Sequence, residues 1–310
     1  MRTAFIKELF ELAKQDDRVV LIVGDLGFGV VTPFMEQLPR QFLNAGVAEQ
    51  NMTGMAAGMA LSGKIALTYS IANFPTMRCL EQVRNDVCYH NANVKIVSVG
   101  GGFTYGAMGA THHALEDIAV MRAMPGLTVV APGDPVEARA ATRAVIAYRG
   151  PCYLRLGKAG EPVVHQSPID FELGKAIRMR EGKDATLIST GGILLNVVRA
   201  AERLAKEGIE TRLLSMHTVK PLDTEAVLAA ARETGAIFTI EEHSVLGGLG
   251  SAVAEVLAES EGIKVPFKRI GVPSGFSPHI GSQEYMQERH GLTDDAITRS
   301  VAATLRTVAS

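Results

Sequence analysis

Short apolar runs rich in Val and Ile alternate with helix-period segments along the whole chain. "RVVLIVGD" (18–25), "KIALTYS" (64–70), "VKIVSVGG" (94–101), "LTVVAP" (127–132) and "PCYLRLG" (151–157) are apolar at neighbouring positions, not only at every second one. Strands that hide both faces belong to a parallel sheet covered by helices on each side. Between them, "AFIKELFELAKQ", "TMRCLEQVRNDVCYH" and "DPVEARAATRAVIAY" carry helical spacing, the last opened by an Asp-Pro start signal. "GEPVVHQSPIDFE" then breaks the rhythm with two prolines and little periodicity, and marks an interdomain linker.

A second set follows: "ATLISTGG" (185–192), the strongly amphipathic "LLNVVRAAERLAKEG", "TRLLSMH", "TEAVLAAARETG", "AIFTIEEH", "GLGSAVAEVLAES" and "PFKRIGV". Strands and helices alternating through such short connections predict a small doubly wound domain. The expected fold is α/β, with two doubly wound domains of mostly parallel sheets over residues 1–165 and 166–310. No internal repeat or low-complexity segment interrupts it.

At 310 residues each domain has enough chain to bury its own core. The charges nearly cancel, 31 Lys+Arg against 33 Asp+Glu, which removes any electrostatic case for nucleic acid or a membrane surface. No apolar run approaches the ~20 residues that span a bilayer. Cys79, Cys88 and Cys152 form no CxxC pair, so neither a disulfide framework nor a zinc site is expected and the metal-ligand set is empty. The amphipathic, acid-bearing N-terminus "MRTAFIKELFELAKQDD" suits neither a signal nor a transit peptide. A soluble cytoplasmic protein is expected.

Candidate chemistry starts in "NAGVAEQNMTGMAAGMALSGK" (44–64), where Glu49 stands at the mouth of a helix made almost wholly of Gly, Ala and Met. An acid in a first helical turn is favoured by the helix dipole at a few tenths of a kcal/mol, which is the plain reading. The interior glycines 54 and 58 cost roughly 1 kcal/mol each relative to alanine. A chain carries that cost when another backbone, a partner subunit or a ligand must come close. Asp25, in "VGDLGFG", ends a strand, where turn and cap roles compete with a ligand site at the carboxyl edge of a parallel sheet. His112 and His113 occupy the glycine-rich "GAMGATHHALED"; neutral imidazole can both donate and accept a hydrogen bond. Arg78, Glu81 and Arg84 share one helix, where ion pairs are the default. "GGLGSAVAE" is a glycine-rich turn into a helix and carries no assignment alone.

"GVAEQNMTGMAAGMA", "YSIANFPTMRCLEQVRNDV", "GAMGATHHALEDIAVMRAMPGLTVVAP", "TVKPLD" and "EEHSVLGGLGSAVAE" together resemble the C-terminal half of transketolases. The order matches the pyrimidine-binding domain and then the C-terminal domain of these thiamine diphosphate enzymes, across essentially the whole chain. The Gly-Asp-Gly signature of the family's diphosphate- and metal-binding domain does not occur; "GDLG" and "GDPV" are not that motif. The resemblance therefore implies the second subunit of a split transketolase. Thiamine diphosphate and Mg²⁺ would be held mainly by an N-terminal transketolase subunit in an α₂β₂ assembly. The implied reaction moves a two-carbon ketol unit from a ketose to an aldose.

By the same resemblance, the acid matching Glu49 hydrogen-bonds N1′ of the cofactor's aminopyrimidine and relays a proton there. A dry pocket raising its proton affinity would help. Phe74 matches the aromatic that stacks on that ring, and Asp25 an acid near the thiazolium end. His112 matches a residue that contacts the sugar's first hydroxyls, with His113 a weaker candidate beside it. Arg155 and Arg2 match phosphate-binding arginines, whose planar fork also suits a sulfonate. Ala107 and Met108 stand where the family has Glu-Asp, and Gly100 where it has a phosphate-binding His. Those departures leave the ketose and aldose open beyond an anionic terminus. The β subunit of a 2-oxoacid dehydrogenase has the same domains, but "THHALEDIAVMRAMPG" favours transketolase. A 1-deoxyxylulose-phosphate synthase fragment is disfavoured because those chains are fused. A non-catalytic regulatory paralogue is the reading of a different class, and the retained Glu49 argues against it.

Overall fold

The structure, a computed structural model, describes residues 1–309. Strands β1 (Val19–Val23), β2 (Phe42–Asn44), β3 (Ile65–Ile71), β4 (Val94–Val99), β5 (Thr128–Val130) and β6 (Cys152–Leu156) build the first sheet. The second holds β7 (Ile177–Arg180), β8 (Ala185–Thr190), β9 (Thr211–Ser215), β11 (Ile237–Ser244) and β12 (Phe267–Val272), while β10 (Thr218–Lys220) leaves it. The order is β10-β5-β6-β4-β3-β1-β2 in one sheet and β12-β11-β8-β9-β7 in the other. All pairings are parallel except β10 on β5 and β7 on β9.

Strands β1, β4, β5 and β6 are buried at every position, which is the physical content of their unbroken apolar pattern. The Arg2–Gln15 helix lays Phe5 and Leu9 on one face of the first sheet against Leu21, Tyr69 and Leu154. The Glu49–Leu61 helix covers the other face with Met52 and Ala56, packed among Ile96 and Val87. In the second sheet the Leu194–Lys206 helix buries Val197, Ala201 and Leu204 with Phe238 and Ile297.

Two departures from the expected elements shape the site. The helix expected over 76–90 forms only as a turn at Leu80–Gln82 running into a π-helix at Val83–Cys88. Pro75 has no N–H to donate, so the approach to this helix stays irregular and delivers Phe74 and Arg78 from a turn. Secondly, β10 crosses from the C-terminal half to the edge of the first sheet, opposite Val129 and Val130. Lys220 fastens it there by donating to the carbonyls of Arg122 and Met124 at 2.9 and 2.6 Å.

The proline-bearing segment between the sheets has no regular structure and is nonetheless pinned. Asp134 accepts from the N–H groups of Val164 and His165 at 2.8 and 3.0 Å, and Phe171 stacks on His217 at 3.9 Å. No described helix is long and apolar enough to cross a membrane.

Candidate active site

Glu49, separated from the end of β2 by four residues, opens the 13-residue helix that packs under β3. Its carboxylate is 3 % exposed. Gly24, at the end of β1, lies against it: a Cβ there would stand at ordinary contact distance, 3.7 Å from Glu49 Cγ and 3.6 Å from Ser70 Oγ. That hydroxyl is buried with no hydrogen-bond partner among the described residues. Arg78, 48 % exposed, donates from Nη1 to Glu49 Oε2 at 2.7 Å. The surroundings of Glu49, at the head of a helix rich in Gly, Ala and Met, therefore include a guanidinium.

Arg78 also covers the Phe74 ring, 4.9 Å from guanidinium carbon to centroid, a cation–π contact. Phe74 in turn meets the edge of His112 at 5.4 Å. The turn carrying Phe74 and the loop carrying His112 are tied together by Asn73, whose Nδ2 donates to the carbonyls of Thr111 and His113 at 3.1 and 2.8 Å. Glu49, Arg78, Phe74 and His112 thus form one continuous row. Half-buried His112 has Nδ1 at 3.0 Å from Thr111 Oγ1. His113 points inward instead: Nε2 lies 3.1 Å from the Gly106 carbonyl and the ring packs edge-on against Phe103 at 5.2 Å. It braces the loop that presents His112.

Asp25 sits at the strand edge beside Gly24 in the left-handed region, φ 56°. It is exposed; its N–H donates to Asn44 Oδ1 at 3.0 Å and its carboxylate accepts from Asn44 Nδ2 at 2.9 Å. The pair ties β1 to β2 next to the mouth of the Glu49 helix.

The run Gly100-Gly101-Gly102 is explained by what lies over each residue. A Cβ would come within 2.2 Å of the Tyr105 ring at Gly100, 2.7 Å of Arg155 Nε at Gly101 and 2.3 Å of Glu242 Oε1 at Gly102. Arg155 is buried and largely engaged: Nε donates to Asp117 Oδ2 at 2.7 Å, and Nη2 to the carbonyls of Ala114 and Glu242 at 2.8 and 3.1 Å. Only its Nη1 makes no hydrogen bond to protein among the described residues. It lines a cavity of about 270 Å³ between the two sheets, together with Gly101, Gly191, Arg199 and Glu242. Burial pushes the Glu242 carboxyl above the usual carboxylate range, opposed by donation from Gln287 and the Phe103 N–H.

Arg2, at the start of its helix, keeps a buried Nε with no hydrogen bond and stands beside Tyr105. In the sequence Arg78 reads as a member of a helical ion-pair run, and Tyr105 is signalled only by the glycine run before it. The row has what an aminopyrimidine would need, a sheltered carboxylate, an aromatic face and an unpaired hydroxyl at Ser70. No group of three or more His, Cys, Asp or Glu among the described residues could hold a metal ion.

Residues 1–160 match the family described as "Transketolase, pyrimidine binding domain", and residues 174–297 "Transketolase, C-terminal domain". The chain is 42% identical over 301 residues to a 6-deoxy-6-sulfo-D-fructose transketolase subunit of a Clostridium species, covering 97% of this chain and 92% of that one. It is 41% identical over 301 residues to an apulose-4-phosphate transketolase subunit of Phocaeicola vulgatus, covering 96% and 95%. Among solved structures, one described as a split gene transketolase, inactive beta4 tetramer, superposes with TM-score 0.88 at 38% identity over 98% of this chain and 97% of that one. Campylobacter jejuni transketolase superposes with TM-score 0.82 at 18% identity over 97% of this chain and 46% of its own, a likeness of fold.

Proposed function

The chain belongs to the transketolase family, and from that premise we propose that it works as one of two subunits of a split enzyme. The combined enzyme transfers a two-carbon ketol unit from a ketose to an aldose with thiamine diphosphate, which supplies the carbon nucleophile when bound. One observation carries this: a carboxylate sheltered at a helix mouth, in line with an aromatic ring and an imidazole.

Each residue then has a task. Glu49 holds a proton at the pyrimidine nitrogen from a position sheltered from water. To do so it must share its Oε2 with Arg78 or release it; Arg78 is half exposed, so it has room to turn away. Phe74 offers its face to the pyrimidine, and Asp25 stands at the strand edge towards the thiazolium end. His112 orients sugar hydroxyls by donating and accepting hydrogen bonds. Arg2 and the free nitrogen of Arg155 attract the anionic end of the sugar. His113, drawn inward, acts by holding the loop.

The diphosphate and Mg²⁺ fall to a companion chain of similar size, and the complete enzyme is an α₂β₂ tetramer. Support comes from the face of the Glu49–Leu61 helix that this chain leaves bare. A Cβ at Gly54 or Gly58 would meet nothing within 4 Å, and Leu61 and nearby Val47 are 61% and 72% exposed. Relatives named as subunits are consistent with a second chain closing over it.

The deciding experiment mixes the purified chain with its companion, thiamine diphosphate and Mg²⁺. It then compares ketose plus aldose with a 2-oxoacid plus lipoyl acceptor. Ketol transfer by the pair and none by the lone chain is expected. Robust activity of the chain alone would refute the split-subunit assignment.

A further inference from the structure

The loop that presents His112 is closed at its base, where Gly102 and Ala114 exchange two backbone hydrogen bonds of 2.9 Å. Its outer residues Ala107, Met108, Ala110 and Thr111 are exposed, and a tip with so little buried surface takes its position from its flanks. Those flanks reach into the other domain. Phe103 and Leu115 belong to the hydrophobic core of the second sheet, with Leu187, Phe238 and Met286. Phe103 is fully buried; its ring stacks on His290 at 4.9 Å and meets His113 edge-on at 5.2 Å. His290 follows the Gln283–Arg289 helix and is fixed by a hydrogen bond between its Nε2 and Ser277 Oγ at 3.0 Å. The same helix and the turn before it press on the loop: a Cβ at Gly106 would come within 2.7 Å of the Gly281 carbonyl oxygen and 2.8 Å of Met286 Cγ. Glu242 secures the junction, accepting from the Phe103 N–H at 2.5 Å and from Gln283 and Gln287 of that helix. His113 carries the contact into the loop, because its Nε2 donates to the Gly106 carbonyl and its backbone continues directly from His112.

We propose that the C-terminal domain sets the position of His112, and that His290 is the positioning residue through which it does so. The proposal rests on the transketolase assignment for what His112 does, while the coupling between the two histidines stands on packing. His290 holds Phe103, Phe103 holds His113, and His113 holds the turn that aims the neighbouring imidazole. Truncating His290 opens a space on the face of Phe103 into which that ring can tilt. His113 then loses its edge contact and the loop its inner brace. A misplacement of about 1 Å in a substrate-positioning group is enough to slow turnover markedly. The second domain, which places no side chain in the row from Glu49 to His112, thus governs where that row ends.

The test is a double-mutant cycle in the reconstituted complex, read with the ketose as donor. His290→Ala should lower kcat/KM about tenfold or more in the otherwise native chain, and cause little further loss where His112 is already replaced by Ala. Equal losses in both backgrounds would mark a merely structural role and overturn the proposal. His290→Phe keeps a ring on Phe103 and should restore turnover; failure to do so overturns the stack as the route. A second readout needs no activity. In the full chain alone, with ¹³C-labelled histidines, of which there are eight, the His112 ring resonance is assigned by its loss in His112→Ala. It should move in His290→Ala and return in His290→Phe; a resonance that stays in place in the Ala variant overturns the proposal. If the Ala variant fails to fold, His290→Leu, which fills the space without an aromatic face, takes its place in both measurements. A complex that transfers no ketol unit at all would sink the transketolase assignment, while the resonance still decides whether His290 governs His112.

Discussion

Glu49 and Arg78 are 29 residues apart in sequence and 2.7 Å apart in space, and their pairing shows what a residue pattern reveals and conceals. The acid was legible because a carboxylate is conspicuous in a helix bare of charge. Its partner was not: an Arg among Glu81 and Arg84 reads as a helical surface residue until the turn at Phe74 swings it over. His112 and Phe74 were legible through motif order, but only coordinates separate His112 from inward-facing His113. Glu49→Gln keeps shape and burial and removes the exchangeable proton. Ketol transfer by the reconstituted pair should fall at least a hundredfold, a typical contribution of acid–base catalysis, with circular dichroism of the chain unchanged. Gly100→Ala tests the packing of the glycine run. At φ +96° and under the Tyr105 ring it should cost about 2 kcal/mol or more in urea unfolding. Adding Tyr105→Ala should recover the packing part and leave the backbone strain.

At the scale of elements, strands buried on both faces announce themselves because every position must be apolar. The strands that escaped notice are β7 and β10, short edge pieces whose residues are partly polar and whose partners lie far along the chain. The π-helix escaped for a different reason, since its spacing looks helical and only the hydrogen-bond register differs. The Glu49–Leu61 helix makes the prediction for this scale. Gly58 is exposed with open space where a Cβ would be, so Gly58→Ala should stabilise the isolated chain by up to about 1 kcal/mol. Gly58→Leu should leave the isolated chain folded and weaken its association with the companion subunit, read by analytical ultracentrifugation. Full association by the Leu variant would show that this face stays free in the complex.

For the molecule as a whole, stability responds to pH through the histidines buried where the two sheets meet. Burial lowers His217 from 6.5 to about 4, against the pull of Glu137 and Asp223. It is therefore neutral when folded and charged when unfolded below its ordinary value. Its contribution is complete above pH 6.5 and is lost as pH falls towards 4, at up to about 1.4 kcal/mol per unit. For His165 burial works to lower the pKa, but the Glu137 carboxylate at 2.7 Å wins and raises it. That contribution is complete below pH 6.5 and fades as pH rises through the raised value. Urea unfolding between pH 6.5 and 5 should show stability falling, with a shallower slope in His217→Gln. An identical slope in the variant would mean that another group governs the acid limb.

Finally, the excursion of β10 makes the two halves of the chain co-owners of one sheet. Residues 166–172 are mostly exposed and open to a protease, but cutting them should not release two bodies. The strip around Thr218 would still be zipped to Val129 and Val130 and clasped by Lys220. Nicked material should run as two bands in denaturing gels and elute as one particle on a sizing column. For the same reason, expressing residues 1–165 alone would strip the first sheet of its outermost strand and bare β5, an invitation to clump.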